Sequence, residues 1–176
     1  MTNYQLAKLV LMAQGIESRK RIQKTVHLLQ AAGCRFDLEF RLHYYGPYSS
    51  SLAEQLDRMT AADMLTETTQ QIRVGTQYNY RLNETQQRSL EDFEKTADGQ
   101  TAKRDMEDYR ELLDLLRRQE ARVLELASTM VAFRQAQRDW DRAAAETARF
   151  KNEPADAPPM TEARELAQNV VGCNHG

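Results

Sequence analysis

The chain has little of what a β-rich, secreted or membrane protein needs. Its 176 residues include 7 glycines and 4 prolines, too few for a turn-rich sandwich or barrel and too few for a disordered linker. Two cysteines, Cys34 and Cys173, build no disulfide framework and fit a reducing compartment. No apolar run approaches the ~20 residues that a spanning helix requires. The opening segment MTNYQLAKLVLMAQG is broken by Asn3, Gln5 and Lys8 and lacks the basic, apolar and cleavage regions of a signal peptide. One sign of charge does not dominate either: 24 Lys and Arg stand against 26 Asp and Glu, a net of −2. That excludes coating nucleic acid by bulk charge, though not a local basic patch. The expectation is a cytoplasmic protein that makes no use of a membrane.

What is present is ordinary for a globular chain, 41% hydrophobic and 28% charged, of a length that suits one domain. Charge divides it: residues 1–83 carry a net of +3 and residues 84–176 a net of −5. In the first part, Leu6, Leu9, Val10 and Ala13 mark a helix ending near Gly15. A second helix is predicted from the N-cap Ser18, with Ile22, Val26 and Leu29 buried and Gly33 at its C-terminal stop. Residues 36–45 alternate, Phe36, Leu38, Phe40, Leu42 and Tyr44 against Asp37, Glu39, Arg41, His43 and Tyr45, which predicts a strand with the first set inward. After Gly46-Pro47, Ser51-x-x-Glu54 reads as a capping box for a third helix burying Leu52, Leu56 and Met59. Ile72 and Val74, a turn at Gly75-Thr76, and Tyr78, Tyr80 and Leu82 predict a hairpin.

Helices fill the rest: 84–98 stopped by Asp98-Gly99, then 103–135 with a break near Arg117–Glu120, then 139–150 and 161–171. The fold class is α+β and mostly helical. A winged-helix-like part over 1–83, with a small three-stranded antiparallel sheet, packs against a helical part over 84–172 within one structural domain, and 173–176 form a frayed tail.

Candidate chemistry is thin. His27, His43, His175, Cys34 and Cys173 make no metal-binding spacing. No nucleophile elbow or phosphate-binding loop is present. No catalytic residue, metal or cofactor is therefore assigned, and the chain reads as a non-enzyme. A basic cluster is more telling. Arg19, Lys20, Arg21 and Lys24 crowd the start of the second helix, where cations oppose the macrodipole. They point to a partner, either an acidic protein surface or phosphate. The third helix carries Glu54, Asp57 and Arg58, a poor face for a major groove. Tyr45 and Tyr48 join the cluster as candidate partner-binding residues, because tyrosine adds contact area at low entropic cost. Tyr44 is expected inward.

The run Arg21-Ile22-Gln23-Lys24-Thr25-Val26-His27-Leu28-Leu29, followed by Phe40-Arg41-Leu42-His43-Tyr44-Tyr45-Gly46-Pro47-Tyr48-Ser49 and Leu52, resembles the Panacea (SocA-like antitoxin) domain family, a look shared by YwgA-like bacterial proteins. The likeness extends in outline over about residues 4–170. His27 stands where an aromatic is usual in that family, and no glycine precedes Met64-Leu65. The resemblance implies an antitoxin-like module that binds a partner protein, such as a cognate toxin, and restrains it by direct contact. The alternative expectation is a DNA-binding regulator of winged-helix type.

Overall fold

The computed structural model describes residues 1–73 and 75–173; Val74 of the predicted hairpin and residues 174–176 of the predicted tail lie outside them. Helix α1 (Asn3–Met12) is followed by strand β1 (Ile16–Glu17), α2 (Arg19–Ala31), a hairpin of β2 (Arg41–His43) and β3 (Gly46–Tyr48), α3 (Ser50–Ala61), and a second hairpin of β4 (Thr66–Ile72) and β5 (Gly75–Arg81). The remaining helices are α4 (Glu84–Glu94), α5 (Ala97–Glu107), α6 (Arg110–Arg117), α7 (Ala121–Gln137), α8 (Trp140–Lys151) and α9 (Pro158–Gly172). The protein is α+β and mostly helical, with one three-stranded antiparallel sheet in the order β1-β5-β4.

Local sequence explains most of these elements. Thr2 and Gln5 form a reciprocal capping box on α1. The Ser18 side chain accepts from the Arg21 N–H at the start of α2, and Gly33, at φ +107°, takes the left-handed conformation just past its end. Asp139 caps α8 by accepting from Arg142. The break predicted near Arg117–Glu120 falls between α6 and α7. Leu52, Leu56 and Met59 of α3 are buried as expected.

Four expectations are corrected. The third strand of the sheet is Ile16–Glu17, paired to Tyr80 and Asn79 of β5; it is too short to show periodicity. The alternating segment 36–45 does not join that sheet. Its first half forms no strand: Asp37 takes the left-handed conformation at φ +54°, and the Gln30 side-chain amide of α2 holds the next residue, donating to the Leu38 carbonyl at 2.8 Å and accepting its N–H at 3.0 Å. Its second half becomes β2 and pairs only with β3, which turns Leu42 and Tyr44 outward. The N-cap of α3 is Ser49, not Ser51. Asp98-Gly99 does not stop a helix but lies in the first turn of α5, with Thr96 as the cap.

Buried side chains from both stretches, among them Leu6, Ile22 and Leu56 with Leu116, Leu126 and Leu166, form one cluster. An ion network reinforces the join. The buried Lys8 of α1 donates to Glu94 at 2.7 Å and lies 3.2 Å from Glu107, and Tyr4 donates to the same Glu94.

Gly99 shows packing overruling propensity. A Cβ there would stand 1.9 Å from the Phe93 carbonyl oxygen, the acceptor that closes α4. Alanine is the better helix former by about 1 kcal/mol, yet Gly99→Ala is expected to destabilise the protein by about 1–3 kcal/mol through overpacking. Urea unfolding of the two proteins reads the sign directly.

Candidate functional site: a tyrosine hairpin held by buried lysines

Helix α2 presents two faces. Ile22, Val26 and Leu29 enter the hydrophobic core. Gln23, Lys24, His27 and Gln30, at helical spacing on the other side, hold the long connection to α3. Gln23 donates to the Ser49 carbonyl at 2.9 Å and accepts the Ser49 N–H at 2.8 Å. Lys24 donates to the Pro47 carbonyl at 2.6 Å. The His27 ring meets the Phe40 ring edge-on at 4.9 Å, and its Nδ1 bonds the Ser128 hydroxyl of α7 at 3.0 Å. A side chain on α8 completes the grip: Lys151 donates to the Tyr44 carbonyl at 2.7 Å while paired with Glu125 at 2.7 Å.

The turn these groups hold is tight. Its positive φ falls on Gly46 at +87° and not on either preceding tyrosine, the pattern of a two-residue turn closed by a glycine bulge. A Cβ on Gly46 would lie 2.6 Å from the Thr129 hydroxyl of α7. Glycine is thus required twice, by backbone conformation and by close approach.

Pinned this way, the hairpin turns its aromatics to solvent. Tyr44 is 78% exposed, Tyr45 53% and Tyr48 38%. Tyr44 and Tyr45 pack edge to face at 5.1 Å, and His43 packs on Tyr48 at 5.2 Å. Leu42 and His43 are also exposed. The expected inward position of Tyr44 is therefore corrected: the strand ends at His43 and Tyr44 opens the turn, where its side chain faces solvent.

The four cations of α2 go different ways. Arg19 pairs with Asp57 at 2.7 Å and Glu67 at 3.1 Å and donates to the Tyr80 hydroxyl at 2.7 Å, which ties α2 to α3 and the sheet. Arg21 donates to the carbonyls of Gln119 and Arg117, beyond and at the C-terminal end of α6, where a cation is favourable. Lys24 is 4% exposed. Lys20 is the one left facing solvent, with its ammonium 3.7 Å above the Tyr45 ring, a cation–π contact. So Lys20 joins Tyr45 at the surface, Tyr48 is exposed beside His43, and of the other three cations only Lys24 reaches the hairpin backbone. Sequence reasoning missed Gln23, Gln30, Glu125 and Lys151. The polar spacing 23, 27, 30 on α2 is a visible signal for the first two; nothing local marks the others, which meet the hairpin only through the fold.

Burial sets the ionisation of this region. It lowers Lys24 to about 8, helped by the neighbouring Lys151 and Lys20 and opposed by Glu125. It also lowers Lys151 below the ordinary lysine value, against the pull of Glu125. It lowers His27 to about 3, with Lys24 adding to the shift, so the imidazole is neutral and its bond to the fully buried Ser128 is a neutral hydrogen bond. Burial pushes the Cys34 thiol up to about 12, which makes it a poor nucleophile. Among the described residues, no three His, Cys, Asp or Glu side chains gather to hold a metal, and no helix is long and apolar enough to cross a membrane.

Two outcomes are expected. Gly46→Ala should lower stability by about 2–3 kcal/mol, from left-handed backbone strain and overpacking; Thr129→Ala in the same chain should recover the packing share only, a coupling readable by a double-mutant cycle. The second concerns alkaline pH. Lys24 has a folded pKa below its unfolded value, so the unfolded chain binds more protons between about 8 and 10.5 and stability rises with pH there. Lys151 acts in the same direction. The Cys34 thiol, raised to about 12, opposes the trend from about pH 9, and Tyr4 and Tyr80, with raised pKa values, add to the reversal above pH 10. Chemical denaturation from pH 8 to 9 should show the rise, and Lys24→Met should flatten most of it.

No family model matches the chain. Over 118 residues it is 30% identical to the uncharacterized protein YwgA of Bacillus subtilis (strain 168), a stretch that takes in 67% of this chain and 66% of that relative. The chain thus matches just under two thirds of the relative's length, and the likeness is one of sequence.

Proposed function

We propose that the protein is a non-enzymatic, cytoplasmic binding module of the Panacea or SocA-like antitoxin kind, which restrains a partner protein by direct contact through the face of the β2–β3 hairpin. The observation that carries this reading is the hairpin itself: three exposed tyrosines on a backbone gripped by Lys24, Lys151 and Gln23. Solvent-exposed aromatic surface costs a protein that does not use it, and tyrosines held in one arrangement lose little entropy on docking. Lys20 at the edge adds positive charge, which speeds encounter with an acidic partner surface. The partner would be masked sterically.

The high thiol pKa of Cys34 and the enclosed His27–Ser128 pair support a non-catalytic reading. The alternative DNA-binding reading finds less support. On α3, Arg58 is balanced by Glu54 and Asp57 by Arg19, which leaves no surplus positive charge to meet phosphates.

Affinity capture of the tagged chain from its native lysate, with nuclease, tests the proposal. One stoichiometric protein should be retained by the parent, and lost with Tyr44→Ala/Tyr45→Ala at unchanged thermal stability. Removing two interface tyrosines should weaken the complex by at least tenfold, about 1.4 kcal/mol. Retention of the same protein by the double variant sinks the hairpin assignment. Material recovered only as DNA once nuclease is omitted, with binding that falls steeply in salt, sinks the protein-binding reading.

A further inference from the structure

We propose that the cavity between the first turns of α2 and α7 is a binding site for a phosphate monoester. It measures about 210 Å³, enough for a phosphate with a small organic substituent. Lys20, Arg21, Lys24 and Arg122 line it against one carboxylate, Glu125. That carboxylate is already shared by Lys151 at 2.7 Å and Arg122 at 3.2 Å. Lys24 is the decisive group. Its ammonium is buried, and its hydrogen bond among the described residues is to a neutral carbonyl. An ammonium has three donors, so the group keeps bonding capacity, and Glu125, shared with Lys151 and Arg122, offsets its charge only in part. A buried charge that is incompletely paired is costly, and an anion in the cavity lowers that cost.

The backbone points the same way. Helix α7 begins at Ala121 with no side chain capping its first turn, so its leading N–H groups are free for an acceptor at the positive end of a 17-residue dipole. Donors that converge from two helices suit the three oxygens of a phosphate better than the two of a carboxylate; the Arg122 fork itself is held by Glu153 and Glu125, so Arg122 contributes positive charge and Lys20, Arg21 and Lys24 the donors. A dianion matches the surplus of positive charge. This inference is independent of the role given to the tyrosine hairpin.

The site predicts its own pH dependence. The charged and titratable groups facing Lys24 are Lys20 and His27 on its own helix, Glu125 on α7 and Lys151 on α8. Of these, His27 is neutral above about pH 3. Loss of the Lys24 proton removes the central positive charge and one of its three donors, so affinity should fall as pH rises from 7 to about 9.5.

Calorimetric titration of the full chain at matched ionic strength, with inorganic phosphate, glycerol 3-phosphate and acetate as probes, decides the matter. Expected is one site for either phosphate probe, at least tenfold weaker binding of acetate, and a weakening of about three- to tenfold in Lys20→Gln, whose exposed side chain the fold does not require. Lys24→Met should abolish binding; should that variant not fold, Lys20→Gln and Arg122→Gln carry the test. The absence of saturable heat with both phosphate probes overturns the site, as does binding indifferent to those variants. Acetate bound as tightly as phosphate overturns the choice of ligand.

Discussion

The Lys24 ammonium reaches the Pro47 carbonyl from inside the protein, and the shape of the exposed surface follows from that bond and from its counterpart between Lys151 and Tyr44. A hairpin of two three-residue strands has little stability of its own. Here its backbone is satisfied from below by charged donors, which bind more strongly than neutral ones. Its side chains are thereby released from any packing duty. The tyrosines can face water because the lysines do not.

That arrangement is possible because α7 passes directly beneath. The segment Ala127-Ser128-Thr129 is buried and small, which allows a glycine turn to come within contact of the helix. A larger residue at 127–129 would lift the turn, and a side chain at Gly46 would do the same from the other side. The same helix turns Ser128 to His27 and Glu125 to Lys151. One element therefore carries part of the core, the floor of the hairpin and, among the described residues, the carboxylate that faces four cations in the neighbouring cavity.

The cost is electrostatic. Lysines rarely tolerate burial, and the lowered pKa values of Lys24 and Lys151 record the desolvation. Placing several cations close together gives the N-terminal part a local positive field within a chain whose overall charge is slightly negative. A field of that kind does little for stability and much for encounter and anion recognition.

Sequence alone determined whatever depends on neighbours within a turn or two. The caps at Thr2, Ser18 and Asp139, the buried stripe Ile22-Val26-Leu29, the glycine stop at Gly33 and the break between α6 and α7 are all local. The basic cluster and the tyrosines were visible as a concentration of unusual residues, of which Lys20, Tyr45 and Tyr48 are exposed. Which of the cations faces outward was not legible, since Arg19, Arg21 and Lys24 find their partners at Asp57, Gln119 and Pro47 through contacts distant in the chain. The alternation over 36–45 predicted one continuous strand, but Asp37 is left-handed, Tyr44 and Tyr45 form a turn, and only Arg41–His43 is a strand; a strand's inward face, moreover, exists only where something packs on it. Tertiary structure supplied Gln30 to hold Leu38 in the first half and no cover for the second, so Tyr44 faces water. Local geometry chose the elements; long-range packing chose which of their faces are buried.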